Sequence, residues 1–192
     1  MRTLLLLGSL FVIGHVFKFE SDSSMRMTYC DNGWTRVNRT IGGWCVRVYQ
    51  GVYNQEQAES ACNRLGAVLS SIETSAERLT IADLGTTYMS ISSGWKYGTL
   101  RLGIVRATTS SPFVSTDQHT SGTAGLTWSP GEPNGGSTGG YSHNCGMMWL
   151  WVNGGGTVRG AATRIPGTLF TMTCPITWND RFRGFVCGKL AV

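Results

Sequence analysis

Trp128-Ser129-Pro130-Gly131-Glu132-Pro133-Asn134, followed by His143-Asn144-Cys145, is the stretch on which the reading of this chain turns. It gathers a carboxylate, two carboxamides and a cysteine into a glycine-rich loop. A carboxylate and an amide oxygen on either side of one proline are ligand types suited to a hard cation. The same residues also serve as ordinary turn formers, since Pro-Gly and Pro-Asn-Gly are common turn chemistry. Such a loop needs an anchor, and the other cysteines are the candidates for it.

The chain has 192 residues and a net charge of +5. That length suits one domain with a real core. Residues 1–14 read as a signal peptide. Arg2 supplies the positive start, Leu4 to Ile13 is an apolar run too short to span a bilayer, and Gly14 is taken as its end. Residues 15–29 are polar and serine-rich, a flexible lead-in. No later apolar run is long enough to cross a membrane. A secreted, extracellular chain meets an oxidising environment, so an even set of six cysteines should pair completely. Spacing alone does not choose among the connectivities. The basic residues are scattered, among them Arg36, Arg39, Arg101, Arg106 and Arg183, without interleaved aromatics. This argues against a nucleic-acid partner and for a basic soluble surface.

Trp44 to Tyr49 alternates apolar and polar residues and reads as a strand. Asn54 with Gln57 forms a capping box, and Ala58, Ala61, Cys62 and Leu65 follow at helical spacing to a stop at Gly66. Thr74 with Glu77 repeats the signal, predicting a second short helix through Ile81 and Leu84 that ends at Gly85. Nothing helical follows. Short β-type runs lie at residues 100–105, 144–152 and 184–187, while residues 135–140 and 154–156 are too glycine-rich for anything but loop. Asn38-Arg39-Thr40 is an N-glycosylation acceptor.

No G-x-S-x-G elbow, H-E-x-x-H or P-loop is present, so the chain is not expected to be an enzyme. Cys145 beside His143 would suit a thiol nucleophile only if Cys145 were unpaired.

Several phrases together resemble one family. They are Cys30-Asp31-Asn32-Gly33-Trp34, Trp44-Cys45, Ala58-Glu59-Ser60-Ala61-Cys62, Gly66 to Ile72, Trp128, Gly131-Glu132-Pro133-Asn134, Asn144-Cys145, and Gly184-Phe185-Val186-Cys187. In this order and spacing they resemble the C-type lectin-like domain in its long form, over residues 30–189. Arg101-Leu102-Gly103-Ile104 departs from the family's W-I-G-L by lacking its tryptophan. Gly43-Trp44-Cys45-Val46, Gly122-Thr123-Ala124-Gly125 and Val186-Cys187-Gly188-Lys189 resemble the nematode branch of secreted C-type lectins.

The resemblance implies an α+β fold with two helices, short antiparallel β-sheets, a long-loop region and three disulfides: Cys30–Cys45, Cys62–Cys187 and Cys145–Cys174. It implies recognition of glycans, a microbial surface or a protein ligand, with an immune or surface-recognition role. The family's sugar site uses Ca²⁺, held by the E-P-N acid and amide, the E-N before a core cysteine, and the N-D of W-N-D. Here Glu132, a cis Pro133, Asn134 and Asn144 match that pattern, and E-P-N implies mannose-type sugars. His143 stands in place of the second glutamate, and imidazole suits transition metals better than Ca²⁺. The last element has two alignments. Either Trp178-Asn179-Asp180 is the W-N-D, making Asn179 and Asp180 ligands, or Leu169-Phe170-Thr171 fills those positions ahead of Cys174 and the site is lost. The alternative function is therefore a calcium-independent module with a degenerate calcium site.

Overall fold

The computed structural model describes residues 29–153, 155, 164–177 and 182–192. The signal and nearly all of the lead-in, loop positions Gly154 and Gly156, and Trp178, Asn179 and Asp180 lie outside the described residues. In chain order the elements are β1 (Thr35–Arg39), β2 (Gly42–Gln50), α1 (Gln55–Asn63), β3 (Val68–Leu69), α2 (Ser75–Ser93), β4 (Tyr97–Val105), β5 (Val114–Ser115), β6 (Ser137–Thr138), β7 (Tyr141–Ser142), β8 (Cys145–Trp151), β9 (Leu169–Met172) and β10 (Phe182–Leu190).

One sheet runs β1-β2-β10-β4-β8-β9, with β3 added to β10 and β5 to β4. Its pairings are antiparallel except β10 with β4, which run parallel. The sheet is therefore mixed rather than wholly antiparallel, and its longest strands have nine residues. The last strand inserts between β2 and β4, so chain closure builds the centre of the sheet. Alternation along β10 then divides two cores. Val186 joins Ile81, Met89, Leu100, Leu150 and Trp44 under α2. Phe185 and Cys187 join Ala58, Ala61 and Cys62 of α1 on the other face. On β8 and β9, Met147, Trp149, Phe170 and Met172 form a third cluster.

Helix α1 follows its local signals. Asn54 Oδ1 accepts from Gln57 N, and the Gln57 side chain returns to Asn54 N. Leu65, though at helical spacing, lies beyond the helix and is exposed. Helix α2 differs from its prediction. It passes through Gly85 and stops at Gly94, which adopts φ +69°. A Cβ on Gly85 would lie 2.7 Å from Leu100 Cδ1 and 2.9 Å from Leu150 Cδ2. The glycine thus lets the helix approach the sheet and is not a stop. The loop expected over residues 135–140 holds strand β6 and the turn of the small hairpin β6–β7, where Gly139 and Gly140 adopt φ +60° and +81°. Strand β9 had no periodic signal.

The three disulfides are Cys30–Cys45, Cys62–Cys187 and Cys145–Cys174, with no cysteine left free. Cys62–Cys187 closes a 125-residue separation, ties α1 to β10, and on the chain-entropy account stabilises by up to about 5 kcal/mol. Cys145 is consequently not a thiol nucleophile.

The arginines are not the surface set that composition suggested: Arg39, Arg101, Arg106 and Arg183 are buried. Arg39 is the hub of an interior network. It donates to Glu77 Oε1 at 2.6 Å, Asp117 Oδ2 at 3.0 Å and Ser71 O at 3.0 Å, and lies 4.3 Å over the Trp44 ring. Both ion pairs have fully buried side chains. Asp117 also accepts from Ser71 N, His119 N and Thr120 Oγ1. The network joins β1, the link into α2 and the start of the long loop. Arg101 is surrounded by carbonyl and amide oxygens, including Tyr53 O at 3.1 Å, and burial lowers its pKa to about 10.

Candidate functional site

Between β4 and β8 the chain makes its long excursion, and Trp128 to Asn144 lies within it. The excursion is anchored on both sides. Trp128 bridges Leu169 of β9, Ser129 N donates to Leu169 O, and Arg106 N donates to Asn144 O. The Glu132–Pro133 peptide is cis.

Glu132 is nearly saturated with donors. Its Oε1 accepts from Asn134 Nδ2 at 2.8 Å. Its Oε2 accepts from Asn134 N at 3.0 Å, Thr171 N at 3.0 Å and Thr171 Oγ1 at 2.5 Å. Oε2 is thereby filled, while Oε1 keeps one of the carboxylate's roughly four lone-pair sites. Asn134 Oδ1 accepts from Gly136 N at 2.8 Å and meets His143 Nδ1 at 3.0 Å. Because Asn134 Oδ1 can only accept, the neutral imidazole carries its proton on Nδ1. Thr138 Oγ1 then donates to His143 Nε2 at 2.9 Å. Burial lowers the His143 pKa; Glu132 pulls it up and Arg106 pushes it down, with the net direction downward.

Arg106 closes the network. Its Nη2 donates to His143 O at 2.9 Å and to Asn134 O, and its guanidinium sits 4.8 Å over the Phe113 ring. Phe113 in turn packs 4.7 Å from Trp128. One cation thus crosslinks the two halves of the loop through their backbone carbonyls.

Of the residues singled out by sequence, the structure brings Glu132, Pro133, Asn134 and His143 together. Asn144 instead donates from Nδ2 to Ala107 O at 3.3 Å, and its buried Oδ1 has no hydrogen-bond partner among the described residues. Asn179 and Asp180 are outside the described residues. Thr171, beside Glu132, belongs to the Leu169-Phe170-Thr171 segment, while Phe170 packs in the apolar cluster of β8 and β9. Sequence reasoning missed Arg106 and Thr138. Arg106 carries no local signal, being 28 residues from Asn134 and 37 from His143, whereas Thr138 is five residues from His143 within the glycine-rich loop.

Among the described residues these groups do not complete a calcium shell, and Asn179 and Asp180 lie outside them. Ca²⁺ takes about six to eight oxygens. Glu132 Oε2 is occupied internally, an imidazole stands at the second acid position, and a guanidinium adds positive charge. Among the described residues no group of three or more His, Cys, Asp or Glu side chains could hold a metal ion.

No family model matches the chain, and no curated protein matches it. Solved structures do. The cow C-type carbohydrate-recognition domain of CD23, solved with a GlcNAc2Man3 oligosaccharide, aligns with TM-score 0.58 at 21% identity, covering 86% of this chain and 98% of that one. A calcium-independent type II antifreeze protein aligns with TM-score 0.57 at 20% identity over 86% and 97%. Human lithostathine aligns with TM-score 0.57 at 15% identity over 89% and 99%.

The chain has the C-type lectin-like fold. Within that fold the three disulfides pair as the resemblance implied. No helix among the described residues is long and apolar enough to cross a membrane. At these identities the likeness shows the fold alone.

Proposed function

We propose that this chain is a secreted C-type lectin-like recognition module whose long loop is held ready by its own side chains, so that ligand binding does not require calcium. The observation that carries this reading is the engagement of both Glu132 oxygens by Asn134 and Thr171. With three of its four hydrogen bonds on Oε2, the carboxylate must give up bonds before both its oxygens can ligate a cation. The position of Thr171 also favours the alignment in which Leu169-Phe170-Thr171 replaces the N-D ligands. Complete pairing of six cysteines supports an oxidising, extracellular location. The three phrases quoted above support the nematode secreted branch.

The ligand class is a glycan or a glycan-bearing microbial surface. Beside the cis-proline loop is a shallow cleft of about 240 Å³, whose lining includes Phe113, Leu126, Trp128 and Pro133. Half-buried Trp128 offers an aromatic body on which a sugar's C–H face can stack. A glycan array with and without EDTA tests the reading. Binding should be unchanged by EDTA, retained in Glu132→Gln and weakened by Trp128→Ala. EDTA-sensitive mannan binding that disappears in Glu132→Gln would instead establish the calcium-assisted mannose site implied by E-P-N. Loss of all glycan binding with retention of a protein ligand would make this a protein-binding module.

A further inference from the structure

The β1–β2 hairpin carries the only Asn-x-Thr acceptor in the chain, and its geometry assigns the two halves of that acceptor different fates. Among the described residues β1 ends the strand order. Arg39 pairs with Gly42 across a two-residue turn. The pair closing such a turn exchanges hydrogen bonds, and alternation then turns the backbone groups of Arg36 and Asn38 away from β2, toward the open edge. The Asn38 side chain is exposed; its Oδ1 accepts from Arg36 Nη1 at 2.5 Å, and its Nδ2 makes no hydrogen bond among the described residues. Its neighbours Val37 and Arg39 are buried. Thr40 is engaged: its hydroxyl and its N–H both donate to Glu73 Oε1, at 2.7 and 2.5 Å, and Glu73 is buried.

We propose that Asn38 carries an N-linked glycan, that the glycan is added before β1 docks on Glu73, and that it shields the open edge of β1 from pairing with another strand. The proposal rests on the secretory reading. In the transfer, Asn38 Nδ2 forms a bond to the anomeric carbon of a lipid-linked oligosaccharide diphosphate. The bond from that carbon to the phosphate oxygen breaks, the lipid diphosphate leaves with the electron pair, and an amide proton is lost to base. The acceptor is recognised through the hydroxyl two residues on. In the folded chain that hydroxyl is committed to Glu73, so modification precedes folding. An exposed strand edge invites pairing with another chain, and natural sheets blunt or cover it. A bulky sugar on the outward-facing residue of a five-residue strand gives that cover.

The full chain, produced in insect cells, supplies the test. Wild type and Thr40→Ser recovered from the medium should each lose the mass of one glycan on peptide-N-glycosidase treatment, and Asn38→Gln should show no shift. Circular dichroism should show all three folded. In light scattering across a concentration series, Asn38→Gln should move toward dimer or higher species at concentrations where glycosylated wild type does not. Microsomal membranes charged with donor should glycosylate the reduced, unfolded chain and leave the folded, disulfide-bonded chain unmodified. Secreted wild type without a shift overturns the site. Identical association of wild type and Asn38→Gln overturns the shielding role, and equal modification of folded chain overturns the order of events. A chain retained unmodified in the cytosol overturns the secretory reading itself, and with it this proposal.

Discussion

The molecule contains two polar networks built around an arginine, and they do different work. At the Arg39 hub, one guanidinium faces two carboxylates, Glu77 and Asp117, with every side chain removed from water. At the Arg106 hub, the guanidinium faces backbone carbonyls, and the nearby Glu132 is satisfied by amide and hydroxyl donors. The first network joins elements that define the fold. The second joins two ends of one loop. Burial makes the first unforgiving, because removing one partner strands a charge in a low-dielectric interior. The second is partly wet, so losing a member should release the loop and leave the core standing. The contrast teaches that an arginine can be part of the fold's frame or a pin between two ends of a loop, according to what it faces.

The largest test of that contrast is Arg39→Ala. It should cost about 3–5 kcal/mol in urea unfolding, as breaking a buried ion pair does. A loss below about 1 kcal/mol, the scale of a surface pair, would remove the distinction between the hubs. Next comes Arg106→Ala, expected to cost about 1.5–3 kcal/mol as hydrogen bonds to a charged group are lost. Its signature is local: hydrogen exchange should quicken over residues 132–144 while strands β2 and β10 keep their protection. Equal loss of protection in both regions would show that the loop and core unfold as one unit.

Acidification should sharpen the contrast further. The folded-state pKa of His143 lies below its ordinary 6.5. The unfolded chain therefore binds a proton first as pH falls. The stability contributed by neutral His143 is present above pH 6.5 and lost as pH drops through the lower folded value. Loop exchange should rise in that window, and His143→Gln should abolish the dependence. In Glu73, burial opposes ionisation more than any other single influence, yet donors Ser121 N, Thr40 N and Thr40 Oγ1, with Arg39 nearby, hold its pKa below 4.5. Its contribution is complete above pH 4.5 and lost as pH falls through the lower folded value. The loop should therefore loosen first and the hairpin second. An acid titration in which the two probes move together would contradict this order. The smallest effect expected is that of calcium, which should leave the melting temperature unmoved. An ion bound at 100 times its Kd would add about 2.7 kcal/mol, an easily seen shift.

The sequence by itself determined the fold class, the paired cysteines and helix α1. The capping box closes within one turn and is written locally, whereas the fold class and the cysteine pairing were carried by the family resemblance of phrases spread along the chain. The hard-cation reading of Glu132 and Asn134 was local too, and locality is why it could not be completed. Only the tertiary structure decided that Thr171, far along the chain, occupies the carboxylate, and that Arg106 pins the loop. It alone decided that Gly85 is a contact point inside α2, because its meaning depends on Leu100 and Leu150 across the interface. The same holds for Arg39, which composition counts as surface charge and packing places at the centre. A side chain's type fixes what it can bind; which partners reach it first is settled by chain segments that meet only on folding.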